Sequence, residues 1–282
     1  MTIDRMGIHI GNVFYLRFYA MIIIAGAILG AFLASRLAKK KGQDPEIIWD
    51  MFPWVLIAGI IGARIWHILT PSPSLVAQGV TTWYYLTHPL KAIAIWEGGL
   101  GILGGVIGGI LAIYFYTKSK KLDMMQWLDF LAPATILGQA IGRWGNFVNQ
   151  ELYGAPTNLP WKIYIEPAYR HAGFEDVAYY HPTFLYESIW NLIILGLLLW
   201  VGNRFAEKLI HGDIFLLYLI GYPIGRFLVE FLRLDSSTVI GININQWIMI
   251  VIAALAGAIL ILRHVRRKPG SGITENQTEI QS

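Results

Sequence analysis

The chain reads as long apolar runs separated by short polar connections, and the runs are too long for a single buried core. About 17 to 25 apolar residues suit a helix that crosses a hydrocarbon layer about 30 Å thick. Seven such stretches, 14–34, 51–69, 92–116, 124–142, 183–201, 213–232 and 245–262, predict seven transmembrane helices. Basic residues gather in every second connection: Arg36 with Lys39, Lys40 and Lys41; Lys118, Lys120 and Lys121; Arg204 and Lys208; then Arg263, Arg266, Arg267 and Lys268. These hold 13 of the 22 Lys and Arg, whereas the alternate connections and the N-terminal arm hold only Arg5, Lys91, Lys162, Arg170 and Arg233. Basic loops resist export, so the alternation puts the N-terminus outside and the C-terminus in the cytoplasm.

The pattern predicts an all-α polytopic membrane protein with a small extracytoplasmic head. Its parts are an outer N-terminal arm (1–13), helices one to four (14–145) with an outer loop at 70–91, the head (146–182), helices five to seven (183–262) and a cytoplasmic tail (263–282). Within the head, turn formers Pro156, Pro160, Pro167 and Gly173 flank the strand-like run Trp161-Lys162-Ile163-Tyr164-Ile165. Trp83, Tyr84 and Tyr85 of the outer loop suit the headgroup level. The first apolar run carries Arg17 and is too long for a cleaved leader, so it reads as a retained helix. From Pro269 onward the polar tail is expected to be disordered.

Composition narrows the function. With 55% hydrophobic and 14% charged residues the 282-residue chain exceeds what a soluble domain needs, and a bilayer is its expected surrounding. The formal charge of +4 sits at helix ends facing anionic lipid, which argues against nucleic acid as a partner. There is no cysteine, so any thiol chemistry must use a thiol brought by a substrate. The seven histidines show no metal-ligand spacing, and phosphate-loop, dinucleotide and nucleophile-elbow motifs are absent; neither metal nor cofactor is expected.

Charged residues inside the spans are the candidates for chemistry. Arg17, Arg64, Arg143 and Arg226 all fall toward the outer side, as do Glu97, Glu151, Glu187 and Glu230. Arg226 and Glu230 stand four apart on one helix face, with Tyr222 a turn earlier and Pro223 loosening the backbone. An arginine suits phosphate because its planar fork gives two parallel charge-assisted hydrogen bonds and keeps its proton on burial. Arg233 reads instead as a side chain that reaches for headgroups. Pro182 and Glu187 fit the start of a helix, the latter near the positive end of its dipole. Gly101, Gly105 and Gly109, with Gly104 and Gly108, recur at four-residue spacing and predict close helix packing. Asp129 is assigned a structural role in pairing or capping.

The densest polar run is Gly142-Arg143-Trp144-Gly145-Asn146-Phe147-Val148-Asn149-Gln150-Glu151-Leu152-Tyr153-Gly154, which ends the fourth span. It strongly resembles the signature of bacterial prolipoprotein diacylglyceryl transferases. The likeness extends through Arg17-Phe18-Tyr19, Gly62-Ala63-Arg64, Trp96-Glu97-Gly98-Gly99, Asp129 with Ala132-Pro133, and His181-Pro182-Thr183-Phe184-Leu185-Tyr186-Glu187. It continues in Gly221-Tyr222-Pro223-Ile224-Gly225-Arg226, followed by Glu230 and Arg233. The resemblance implies a plasma-membrane enzyme that moves the diacylglyceryl group of phosphatidylglycerol onto the lipobox cysteine of a preprolipoprotein. Its products are a thioether and glycerol phosphate, with no cofactor.

On that resemblance Arg143 and Arg226 hold the phosphate, while Glu151, Glu230, Tyr19 and Tyr222 orient groups and relay a proton. Asn146 and Asn149 bind the donor or hold the loop, Arg64 and Glu97 complete the binding set, and Gly145 and Gly154 permit turns or close approach. One departure stands out. Family members usually carry a histidine just before the second Gly-Gly pair of the third span, and this chain has Leu103. His67, one turn from Arg64, is a candidate substitute base with an interfacial packing role as its alternative. A small-anion transporter and a catalytically silent lipid- or precursor-binding paralogue are the competing classes. The first lacks an internal repeat and a midplane site, and Leu103 is what favours the second.

Overall fold

A computed structural model describes residues 2–10, 14–234, 238–239 and 242–266, so the expected polar tail beyond 266 lies outside the described residues, as does the side chain of Glu97. The element order is β1 (Thr2–Ile3), β2 (Gly7–Ile10), β3 (Phe14–Arg17), α1 (Phe18–Lys40), α2 (Glu46–Leu69), α3 (Pro73–Ala77), α4 (Thr82–Thr87), α5 (Pro89–Ile93), α6 (Ile102–Ser119), α7 (Met124–Asn149), β4 (Ile163–Tyr164), β5 (Tyr179–Tyr180), α8 (Thr183–Arg204), α9 (Asp213–Glu230), β6 (Thr238–Val239), β7 (Ile242–Asn243) and α10 (Ile244–Arg266). Helices α1, α2, α6, α7, α8, α9 and α10 have 18 residues or more, and each overlaps one expected span. Five of them, α1, α2, α6, α8 and α10, are long and apolar enough to cross a membrane. Their outward faces are apolar, with Trp54, Leu69, Trp200, Leu255 and Ile261 among many exposed large side chains. Such faces need a nonaqueous surrounding, and backbone bonds closed within each helix tolerate one. This is the architecture of a polytopic membrane protein.

Three expectations are corrected. The N-terminal arm folds as an antiparallel sheet in the order β1-β2-β3, so the molecule is mostly but not wholly helical and α1 starts only at Phe18. The third long helix begins at Ile102 instead of 92, because Gly98 and Gly99 take φ of 90° and 73° and break the chain's helical path. Helix α7 runs on to Asn149, so the signature run through Asn149 is helical; it stops where Gln150 turns left-handed at φ 52°.

The chain forms two compact units, residues 1–30 with 131–282, and residues 31–130. In the second unit α2 and α6 pack along their glycines: a Cβ on Gly104 would lie 2.1 Å from the Gly62 carbonyl oxygen, and one on Gly108 2.1 Å from that of Ala58. Backbones in such contact gain dispersion and need small residues on both sides.

In the first unit α8 meets α9 through Gly221 and Gly225, whose missing side chains leave room for Ile194 and the Trp190 ring; Trp190 Nε1 donates to the Gly221 carbonyl at 2.9 Å. Ser188 Oγ donates to the Ala140 carbonyl at 2.9 Å and ties α8 to α7. Below these contacts Ile136, Ile194, Leu198, Ile214 and Tyr218 share one apolar core. The segment between α7 and α8 has its own core of Tyr153, Ile165 and Tyr180, with β4 paired antiparallel to β5. At the other end of the helices Asp213, fully buried at the start of α9, accepts from His264 Nε2 at 2.7 Å and so fixes the end of α10.

Substituting Gly104→Val is expected to part α2 from α6 and lower stability by about 1–3 kcal/mol, the range for overpacked contacts. Thermal unfolding in detergent checks it, and an unchanged Tm would show that the seam does not hold the pair.

Candidate active site

The site grows from one buried carboxylate. Glu187 stands a turn into α8, its side chain 5% exposed, and Arg143 of α7 reaches it with Nη2 at 2.5 Å from Oε2. Arg226 of α9 brings Nη1 to 3.8 Å from Glu187 Oε1 while its Nη2 pairs with Glu230 Oε2 at 2.7 Å, the expected four-residue pair on one face. Arg233, just past α9, lies 3.7 Å from Glu187 Oε1 and is 5% exposed, so it is buried in the cluster instead of reaching for headgroups. Glu230 also accepts from Asn245 Nδ2 at 2.9 Å and Asn243 Nδ2 at 3.3 Å. Removing several ions from water costs several kcal/mol each unless opposite charges and hydrogen bonds compensate. Here Glu187 is the common partner that makes three guanidiniums tolerable in one place.

Two of those guanidiniums keep donors in reserve. Arg226 Nη1 has no hydrogen-bond partner among the described residues, and Arg143 commits only Nη2. Cations held by one edge with donors left over form a receptor for a tetrahedral oxyanion.

The signature run builds the adjoining wall. Asn146 lies three residues beyond Arg143 and so shares its side of α7. Its Nδ2 donates to Glu151 Oε1 at 2.8 Å, and Asn149 Nδ2 reaches the same oxygen at 3.3 Å. The left-handed turn at Gln150 folds Glu151 back onto the helix end; the Glu151 N–H meets the Asn146 carbonyl at 3.0 Å. Glu151 Oε2 carries no hydrogen bond among the described residues. Tyr19 packs on Gly145, where a Cβ would sit 2.6 Å from its ring, and feels the charges of both Glu151 and Arg143. Tyr222 stands a turn before Arg226, stacked at 5.9 Å on Tyr218.

Gly154 has a structural job. A Cβ there would meet Thr183, His181 and the Leu232 carbonyl at 2.8–3.0 Å. Its N–H donates to the His181 carbonyl at 2.9 Å, and it bridges to Arg233. The end of the signature therefore sets where Arg233 and the first turn of α8 meet.

Arg64 has a different employment, inside the second unit. Its buried guanidinium donates to the carbonyls of Lys91, Ala92, Gly98 and Gly99 at 2.6–3.0 Å, and lies over the Tyr85 ring. The positive φ of Gly98 and Gly99 accompanies this presentation of consecutive carbonyls to one fork. His67 stacks under Gly99 and shares a 3.0 Å hydrogen bond with Tyr85 Oη. Leu103 lies in the first turn of α6, more than half exposed. A groove of about 790 Å³ along α2 and α6 is lined mainly by apolar side chains such as Trp54, Ile61 and Ile107, and holds no acid or histidine. Among the described residues no group of His, Asp and Glu is arranged to hold a metal ion.

Glu187 and Arg233 escaped the site set drawn from sequence. Helix-start chemistry explained the first and position near the headgroups the second, and only the fold brings residues 143, 187, 226 and 233 together.

Fold and site together define a helical membrane protein with a buried arginine–carboxylate cluster where α7, α8 and α9 meet. The family model described as prolipoprotein diacylglyceryl transferase matches residues 5–262. Relatives named phosphatidylglycerol–prolipoprotein diacylglyceryl transferase include one from Gloeobacter violaceus, 43% identical over 247 residues that cover 88% of this chain and 86% of the relative. One from Synechocystis is 42% identical over 90% of this chain and 88% of its own, and one from Streptomyces coelicolor, numbered 2, is 38% identical over 97% and 82%. The chain belongs to the prolipoprotein diacylglyceryl transferase family.

Loss of the Arg64 fork leaves four carbonyls short of a donor, at about 1–3 kcal/mol for each one that water does not reach. Arg64→Ala should therefore raise amide hydrogen exchange across residues 95–101, with Arg64→Lys restoring little of the protection. Unchanged exchange in both variants would contradict the clamp.

Proposed function

We propose that this protein transfers the diacylglyceryl group of phosphatidylglycerol to the lipobox cysteine of a preprolipoprotein, in a bacterial plasma membrane. The observation that carries the reading is the pair Arg143 and Arg226, held on Glu187 with donors to spare, in a chain of this family. In the reaction the cysteine sulfur forms a bond to the glyceryl carbon, the carbon–oxygen bond to phosphate breaks, and glycerol phosphate leaves with one more negative charge. Arg143 and Arg226 bind the phosphodiester and gain strength as that charge develops, which is the differential binding that speeds a reaction.

The thiol proton goes to Glu151. Glu230 is buried and engaged on both oxygens, by Asn243 and Asn245 at one and the Arg226 ion pair at the other, whereas Glu151 keeps one oxygen open beside Asn146 and near Tyr19. A free thiol has a pKa of about 8.5, and neighbouring guanidiniums lower it, so a carboxylate suffices and Leu103 is no obstacle. Asn146 and Asn149 hold Glu151 in place, and Tyr19 and Tyr222 line the approach. The transporter reading has no comparable support, because relatives carrying the transferase name cover nearly the whole chain.

A lipobox peptide incubated with the purified protein and phosphatidylglycerol should gain the diacylglyceryl mass. Arg143→Ala and Glu151→Gln should each lower kcat by about 10²–10³, the usual loss for an oxyanion donor or a general base. Full activity in Arg143→Ala would sink the phosphate assignment.

All seven long helices cross the membrane in this reading, with the N-terminus and the segment 150–182 outside and the C-terminus in the cytoplasm; the basic clusters between helices support it. Because the chain has no cysteine, single-cysteine variants report topology cleanly. Ala172→Cys should react with an impermeant maleimide in intact cells and Lys120→Cys only after lysis; the reverse pattern would invert the orientation.

A further inference from the structure

A second cavity, of about 430 Å³, borders the proposed site, and its chemistry differs from that of a lipid slot. It is lined by Tyr15 and Arg17 of β3, by the end of the signature run at Asn149 and Glu151, and by Tyr169 and His171. Its floor is built: the Tyr153 hydroxyl donates to the Tyr169 carbonyl at 2.8 Å and accepts from the His171 N–H at 2.8 Å. The N-terminal sheet is fastened to the same rim by the ion pair of Arg5 with Glu166 and by Tyr169 Oη on Met6 Sδ at 3.7 Å. Asp4 holds the sheet's first turn with hydrogen bonds from the Met6 and Gly7 N–H groups at 2.8 and 2.7 Å, and its hydrogen bond with His9, followed by these, keeps its carboxyl below the usual range.

One side of the cavity is a strand with one edge unpaired among the described residues. β3 pairs with β2 alone among the described residues. The Phe18 N–H bonded to the Met6 carbonyl sets the alternation along the register Gly7 with Arg17, Ile8 with Leu16, and His9 with Tyr15. Tyr15 and Arg17 therefore stand in non-hydrogen-bonded pairs; the N–H and C=O of Tyr15 and the N–H of Arg17 point away from β2, while the Arg17 carbonyl stands at the start of α1. Both line the cavity, two apart on one face of the strand. Arg17 makes no ion pair among the described residues and has only the Tyr15 ring, at 5.8 Å.

We propose that this cavity and the β3 edge bind the extended polypeptide that follows the cysteine of the substrate. Backbone bonds along an open edge supply affinity, and alternate side chains enter a pocket of aromatic and charged groups. An acyl chain finds Arg17, Asn149, Glu151 and His171 hostile, whereas a polar chain satisfies them. Continuity with the reaction site favours the same occupant: Glu151 belongs to both, and Tyr19 follows β3 by two residues. The inference rests on the transferase reading, with the substrate's hydrophobic segment in the bilayer and the chain beyond its cysteine outside.

The test uses the full chain in phosphatidylglycerol nanodiscs with a benzophenone photoprobe in place of the Tyr169 side chain. The ligand is a lipobox peptide with serine for the cysteine, either ending there or carrying eight further residues. Cross-links should map to the residues after the serine and be about tenfold stronger with the long peptide. Equal labelling by both peptides, cross-links to the hydrophobic segment, or suppression by glycerol 1-phosphate but not by unlabelled long peptide would overturn the proposal. As a second readout, Arg17→Glu should bring the ratio of kcat/KM for long over short cysteine peptides toward one, and an unchanged ratio counts against the site. Transfer to the cysteine peptides is measured in parallel. Cross-linking without transfer refutes the transferase reading and leaves the peptide site standing; transfer without cross-linking refutes the peptide site alone.

Discussion

The rest of the site depends on a single negative charge kept out of water. Glu187 lies almost fully buried where α7, α8 and α9 meet, and three arginines from outside its own helix converge on it. Without the carboxylate these guanidiniums would repel one another and turn toward solvent; without them the buried carboxylate would lose the partners that offset its removal from water. The arrangement fixes Arg143 through Nη2 on Glu187, and Arg226 through Nη2 on Glu230 with Nη1 turned toward Glu187. What remains of their donor sets is oriented by the fold itself, which is the preorganisation the proposed phosphate binding would use.

Holding that charge requires backbone packing to set its neighbours within tenths of an ångström. Gly221 and Gly225 let α9 lie against Trp190 and Ile194 of α8, Ser188 anchors α8 to α7, and Gly145 lets Tyr19 lie on the helix that carries Arg143. Gly154 does the same for Arg233. The same side chain serves opposite ends in the two units: Arg64 spends its fork on four carbonyls of its own chain and is structural, whereas Arg143 spends one nitrogen and keeps the others.

Much of this was legible in sequence, for reasons that differ from residue to residue. Apolar length is a strong signal, so all seven long helices overlap expected spans, and the four-residue glycine spacing announced the seam of α6. Helix ends were weaker. Gly142 and Gly145 looked like an exit from the fourth span, yet α7 continues to Asn149, with the Tyr19 ring packed against Gly145 and open space beside Gly142. The N-terminal sheet was missed because its strands are two to four residues long, too short for alternation to register. Glu187 and Arg233 were visible as charges but not as partners, since their meeting depends on how distant segments pack. Arg64 shows the converse: a motif arginine that binds four carbonyls of its own chain, two of them presented by Gly98 and Gly99 at positive φ, which no spacing rule reveals.

The central claim is that Arg143 and Arg226 hold a phospholipid by its phosphate. Native mass spectrometry of the protein released from mixed lipid tests it directly, by comparing retention of phosphatidylglycerol with that of diacylglycerol, which has the same tails and no phosphate. The account predicts that the wild type retains phosphatidylglycerol selectively and that Arg143→Ala combined with Arg226→Ala abolishes the selectivity while leaving the fold intact by circular dichroism. Undiminished selective retention in the double variant would contradict it.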